Sequence, residues 1–80
     1  MTKVFLHHKE DGQWVNEERN FARLPCVGEY VALDTSSLYY RVYLVVHCPF
    51  ETEYEAEVYL MTGVSQADVV VPERPLPMPA

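Results

Sequence analysis

Apolar and polar side chains alternate one by one along two stretches near the middle of the chain. In Tyr40-Arg41-Val42-Tyr43-Leu44-Val45-Val46-His47-Cys48, one set is Tyr40, Val42, Leu44, Val46 and Cys48, and the other is Arg41, Tyr43, Val45 and His47. A period of two is that of a β-strand, whose successive side chains point to opposite faces; the pattern predicts a strand with the first set in the core. The segment from Tyr54 to Met61 repeats it, with Tyr54, Ala56, Val58 and Leu60 inward and Glu55, Glu57, Tyr59 and Met61 outward. Between them, Pro49-Phe50-Glu51-Thr52 supplies the breaker at which an antiparallel hairpin turns.

Directly opposed residues of a hairpin share a face, so the two inward sets pair only where opposed residue numbers sum to an even value. A loop over residues 49–52 then demands a bulge. Without one, Tyr43 stands opposite Tyr59 and His47 opposite Glu55, or Tyr43 stands opposite Glu57 and Arg41 opposite Tyr59; a five-residue loop is preferred over a three-residue one. Either register collects Tyr43, Val45, Tyr59, His47 and glutamates on an outer face less polar than a plain solvent face.

The flanks read the same way. Lys3 to His8 is strand-like, Asp11-Gly12 favours the positive φ of a tight turn, and Trp14 and Val15 begin a returning strand. From Asn16 to Arg23 two readings compete. Asn16 suits the cap of a short helix with Glu17 and Glu18 in its first turn, whereas strand context on both sides favours an extended segment from Trp14 to Arg23. Gly28 permits a turn before a strand over Glu29 to Leu33, and Asp34-Thr35-Ser36-Ser37 joins that strand to the central hairpin. Near the end, Asp68-Val69-Val70-Val71 suits a short edge strand, and Pro72, Pro75, Pro77 and Pro79 forbid regular pairing beyond it. Residues 1–71 are therefore expected to form one domain. Residues 72–80 are expected as a flexible proline-rich tail, a frayed terminus being favoured over a polyproline II ligand.

Eighty residues fit one domain, and 49% hydrophobic with 22% charged residues is the composition of a chain that folds. A net charge of −6 with no cluster of Lys or Arg disfavours nucleic acid, whose affinity comes largely from cations displacing counterions. The first apolar run is too short for a signal peptide or membrane span, so no membrane partner and a cytoplasmic location are expected. Cys26 and Cys48 form no CxxC and read as small core or near-core residues, with a disulfide between them left open.

The segment Leu24-Pro25-Cys26-Val27-Gly28-Glu29-Tyr30-Val31, followed by Tyr40-Arg41-Val42, Val45-Val46-His47 and Val58-Tyr59, resembles a pattern found in small uncharacterised bacterial proteins. That pattern runs Leu-Pro-x-x-Gly-Glu, a strand, Tyr-Lys/Arg-Val, Val-x-His or Val-Val-His, and a Val-Tyr strand. The resemblance covers Phe21 to Leu60 and implies a small antiparallel five-stranded SH3-like barrel. It brings with it no activity, cofactor or site residue.

Candidate chemistry is sparse. His7, His8, His47, Cys26 and Cys48 are the soft metal ligands, but neighbours on a strand point to opposite faces; a site would need His47 with one N-terminal histidine and an acid. Neither Cys26 nor Ser36 lies in a nucleophile motif, Cys48 is inward, and Glu53, Glu55 and Glu57 read as a solvated strand rather than an acid/base pair. The expectation is no catalytic residue, no cofactor and no metal. The aromatic content is more informative, because Tyr43, Val45, Tyr59 and Met61 would leave an apolar patch on an isolated hairpin. Either the N-terminal strands cover it or a second subunit or partner does. The sequence thus points to a non-catalytic protein-interaction module, its partner a second copy or another protein, with Trp14, Arg41, Tyr43 and Tyr59 as contact residues. Single-stranded nucleic-acid binding through an aromatic face ranks second, and an enzyme or metal protein third.

Overall fold

A computed structural model of the protein describes residues 1–36 and 38–70; the proline-rich tail expected over 72–80 lies outside the described residues. The chain is mostly β. Its strands are β1 (Thr2–Glu10), β2 (Gln13–Phe21), β3 (Tyr30–Val31), β4 (Leu38–His47), β5 (Ala56–Leu60) and β6 (Val64–Ser65), followed by helix α1 (Gln66–Val69). They form one curled, open half-barrel in the order β2-β1-β5-β4-β3, with β6 paired to β4.

The N-terminal hairpin follows from its turn. Asp11 (φ 51°) and Gly12 (φ 78°) both take the positive φ of a type I′ turn, whose twist matches that of the flanking strands. β2 continues unbroken to Phe21, so the extended reading of this segment holds and the helix does not form. The turn before β3 is also local chemistry. Pro25 is buried, Gly28 takes φ 94°, and its N–H donates to Val42 O at 2.9 Å. The Glu29 carboxylate accepts from the Arg23 guanidinium and from Cys26 N–H. The hydrogen bonds from Arg23 and from Cys26 hold the Glu29 carboxyl down at about 2. Because the folded value lies below the ordinary carboxylate value, the clamp's contribution is complete above about pH 4.5 and is lost as pH falls through about 2. A carboxyl-carbon NMR titration is therefore expected to give Glu29 a midpoint near 2 and to lose part of that depression in Arg23→Ala, the Cys26 N–H keeping the rest; an ordinary midpoint in the parent protein would show that the clamp is absent.

Four expectations are corrected. The sheet is not wholly antiparallel, because β1 and β5 run parallel, with Val4 opposite Ala56 and Leu6 opposite Val58. Parallel strands favour apolar side chains on both faces, and both strands supply them: Val4, Leu6, Val58 and Leu60 inside, Phe5 and Tyr59 outside. Second, neither bulge-free register of the central hairpin forms. Val42 faces Leu60, but Leu44 faces Tyr59 and Val45 faces Val58, so Tyr43 is an extra residue. A bulge reverses the phase of everything beyond it. Leu44 and Val46, expected in the core, are exposed, while Val45, expected outside, is partly buried against the core. The strands end at His47 and resume at Ala56, so Tyr54 and Glu55 belong to the connection. Third, Asp68 and Val69, expected to begin an edge strand, lie in α1 instead, and Val71 of that expected strand lies outside the described residues. Ser65 caps the helix, accepting from Ala67 N–H at 3.3 Å, and Asp68 sits in its first turn, where a carboxylate suits the helix dipole. The strand expected over Glu29 to Leu33 is shorter, spanning only Tyr30–Val31.

The core lies inside the curl and comprises Val4, Leu6, Val31, Leu33, Tyr40, Val42, Val58 and Leu60, with Phe21, Leu24 and Val45 packed against it. Cys48 is also buried, Cys26 is exposed, and both thiols are free. His8 is the odd member of this interior. It is 1% exposed, edge-on to Tyr40 at 5.4 Å, and its Nδ1 has no hydrogen-bond partner. Its Nε2 lies 3.5 Å from Glu17 Oε2, too long for a strong bond. A buried unsatisfied nitrogen costs about 1–3 kcal/mol, so His8→Phe, which keeps the edge-on contact, is expected to stabilise the fold by about 1 kcal/mol, or about 4–8 °C in Tm. A lower melting temperature would show that this nitrogen is satisfied.

Candidate interaction surface

The outer face of the sheet gathers aromatic side chains from several strands. Because β1 pairs with β5, the outward residues of three strands stand side by side: Asn16 on β2, Phe5 and His7 on β1, Glu57 and Tyr59 on β5. The rings form a continuous ladder. Tyr54 stacks on Phe5 at 5.0 Å, Phe5 meets His7 edge-on at 4.7 Å, and His7 stacks on Tyr59 at 4.4 Å. Tyr59 then meets Trp14 edge-on at 6.4 Å and Tyr43 in a tilted contact at 6.3 Å.

His7 is the fixed point of this ladder. Glu57 Oε1 accepts from Nε2 at 2.9 Å, and the Asn16 side-chain amide partners Nδ1 at 2.6 Å, so both ring nitrogens are held. A ring clamped at both nitrogens and stacked on Tyr59 presents the tyrosine in one orientation with little rotamer entropy left to lose on binding. Burial raises the Tyr59 phenol above its ordinary pKa, with the Glu57 charge adding to the effect.

Beyond Tyr59 the face is open and apolar. The bulge turns Leu44 and Val46 outward, and Trp14, Tyr43 and Met61 are each close to half exposed. Two cavities lie next to one another here and share Met61 and Thr62 as a wall. The first, about 260 Å³, has Trp14 and Tyr43 as its aromatic sides and Lys9 at its rim. The second, about 160 Å³, has Tyr30, Val64 and Arg41. The Lys9 ammonium lies 5.2 Å from the centroid of the Trp14 ring, a cation–π contact. Neither Lys9 nor Arg41 has a carboxylate within salt-bridge distance among the described residues, where the ion pairs are His7–Glu57, His8–Glu17, Arg19–Glu17 and Arg23–Glu29.

The four residues expected as contacts are thus brought onto one surface: Trp14, Tyr43 and Tyr59 touch as rings, and Arg41 lies across the Met61–Thr62 wall from Tyr43. The N-terminal strands do not close over this patch, as one expectation had it. They extend it in the plane of the sheet, with His7, Lys9 and Trp14 along its border. Phe5, His7 and Tyr54 were missed, since their part depends on the pairing of β1 with a strand some fifty residues away. Among the described residues no three of His, Cys, Asp and Glu gather as a metal site. His7 and His8 point to opposite sides of β1, and no helix of the described residues is long and apolar enough to cross a membrane. Compared with known proteins, the chain matches no family model, no curated protein and no solved structure.

Proposed function

We propose that this protein is a non-catalytic protein-interaction module whose contact surface is the outer face around Trp14, Arg41, Tyr43 and Tyr59. The observation that carries the reading is the cluster of half-exposed apolar side chains turned outward beside the clamped ladder: Trp14, Tyr43, Leu44, Val46 and Met61. Aromatic residues with few rotatable bonds, set on sheet strands and rimmed by charge, are the composition of interface centres. On the motif resemblance, the half-barrel is read as an opened relative of a small SH3-like barrel; on its cysteine usage, it is read as working in the cytoplasm. The partner is a protein, either a second copy or another chain.

The test pairs sedimentation velocity over a range of concentrations with affinity capture from native cells, each repeated with Tyr43→Ala and Tyr59→Ala combined. Self-association or capture that is lost in the double variant, with the circular dichroism unchanged, supports the surface. Partners that bind the double variant undiminished would show that the contact lies elsewhere.

A further inference from the structure

We propose that the two adjoining cavities around Met61 dock a short acidic segment of another protein, its apolar side chains entering the cavities and its carboxylates pairing with Lys9 and Arg41. Such docking rests on the contact surface proposed above and specifies the chemistry of its partner.

Charge placement carries the assignment. The chain has twelve Asp and Glu against six Lys and Arg, yet no carboxylate of the described residues lines either cavity. The unpaired cations are there instead. Among the described residues Arg19 and Arg23 are held by Glu17 and Glu29, Lys9 and Arg41 line one cavity each, and Lys3 alone stands elsewhere. Their spacing follows from the sheet. Arg41 O accepts from Met61 N–H at 2.8 Å, while Lys9 lines the same cavity as Met61, each of them two residues beyond the paired His7 and Tyr59. Lys9 on β1 and Arg41 on β4 therefore flank Met61, on strands that lie two spacings, about 10 Å, apart. The space between these cations is apolar, with Trp14, Tyr43 and Leu60 in the cavity of about 260 Å³ and Tyr30 and Val64 in that of about 160 Å³. An apolar centre rimmed by cations that lack partners complements a segment carrying apolar anchors between Asp or Glu residues.

The same features disfavour other occupants. Two copies meeting through this groove about a two-fold axis would set cations against cations, with no carboxylate in the groove to receive them. A nucleic-acid strand needs cations that track its backbone, and here two stand on a chain of net charge −6.

The test selects random linear peptides displayed on phage against the full chain. Enriched peptides are expected to place Asp or Glu around aromatic, Leu or Met residues. Synthetic copies of them are expected to bind more weakly as salt is raised, to shift the Trp14 indole and Met61 amide signals, and to lose about tenfold in affinity when Lys9→Gln and Arg41→Gln are combined. Both side chains are exposed, so the circular dichroism of that variant is expected to match the parent. Enrichment of basic or uncharged peptides, no enrichment, or acidic peptides indifferent to the Lys9 and Arg41 changes would overturn the proposal. So would single-stranded DNA that binds more tightly than the selected peptides, or a concentration-dependent dimer lost in the same variant, which would put a second copy in the groove. The outcomes separate the two readings: binding lost with Tyr43→Ala and Tyr59→Ala but indifferent to the charge changes leaves the surface standing with a partner of other chemistry, whereas binding that shifts none of these residues removes the surface itself.

Discussion

Leu6→Ala is expected to lower the unfolding free energy by about 3 kcal/mol, whereas Leu44→Ala is expected to change it by less than about 0.5 kcal/mol. Both leucines sit mid-strand, and the alternation around Leu44 alone assigns it to the core. Leu6 is 0% exposed, on a strand flanked by β2 on one side and β5 on the other. Its truncation removes the transfer energy of three carbons and leaves a cavity that neighbours pinned in two ladders cannot collapse into. Leu44 is 43% exposed on the outer face, so its truncation costs little of either. For a domain this small, with total stability on the order of 5 kcal/mol, the first change removes more than half of it. Urea denaturation of the two variants reads the difference directly. Equal losses would place Leu44 in the core and remove the bulge.

Gly63→Ala is the second large effect. A Cβ built on Gly63 falls 2.9 Å from Tyr40 Cε2 and 3.0 Å from Cζ, inside the closest approach that carbon atoms tolerate. The Tyr40 ring cannot swing aside easily, because it is 7% exposed in the core and meets His8 edge-on. Overpacking of this kind costs about 1–3 kcal/mol. The clash is with one ring, so Gly63→Ala and Tyr40→Leu are expected to couple favourably by about 1 kcal/mol in a double-mutant cycle. Additive effects would mean that Gly63 does not pass over Tyr40. Gly63 follows Met61 and Thr62, the wall shared by the two cavities.

What the sequence made legible divides along physical lines. The first hairpin was readable because Asp11-Gly12 is turn chemistry acting over four residues. The inner set of β5 was readable because Glu55 and Glu57 fix its phase by flanking Ala56. Tyr43-Leu44-Val45-Val46 has no such marker: four consecutive apolar residues fit either phase, and only the packing of Val45 against the core decides it. A contiguous apolar run inside an alternating strand was the available signal for a bulge. The parallel pairing of β1 with β5 was hidden for another reason, since strand neighbours distant in sequence are chosen by total burial and not by any local motif. Phe5 and His7, outward on a strand whose inner face is Val4, Leu6 and His8, hinted at burial on both sides. The short helix was missed although Ser65 with Asp68 three residues on is a capping pattern, because Val69, Val70 and Val71 favour strand on propensity. The candidate surface was half visible: Tyr43 and Tyr59 follow from the central hairpin and Trp14 from its size, while the ladder that orders them required the long-range pairing.

The phase reversal at Tyr43 is what turns Leu44 and Val46 out to join Trp14, Tyr59 and Met61, and without it Val45 would stand on this face in their place. Backbone cross-strand NOEs between β4 and β5 measure it most directly. The expected pattern sets Val42 opposite Leu60, then Leu44 opposite Tyr59 and Val45 opposite Val58, with Tyr43 unpaired between them. An unbroken ladder that sets Leu44 opposite Val58 or Ala56 would contradict it.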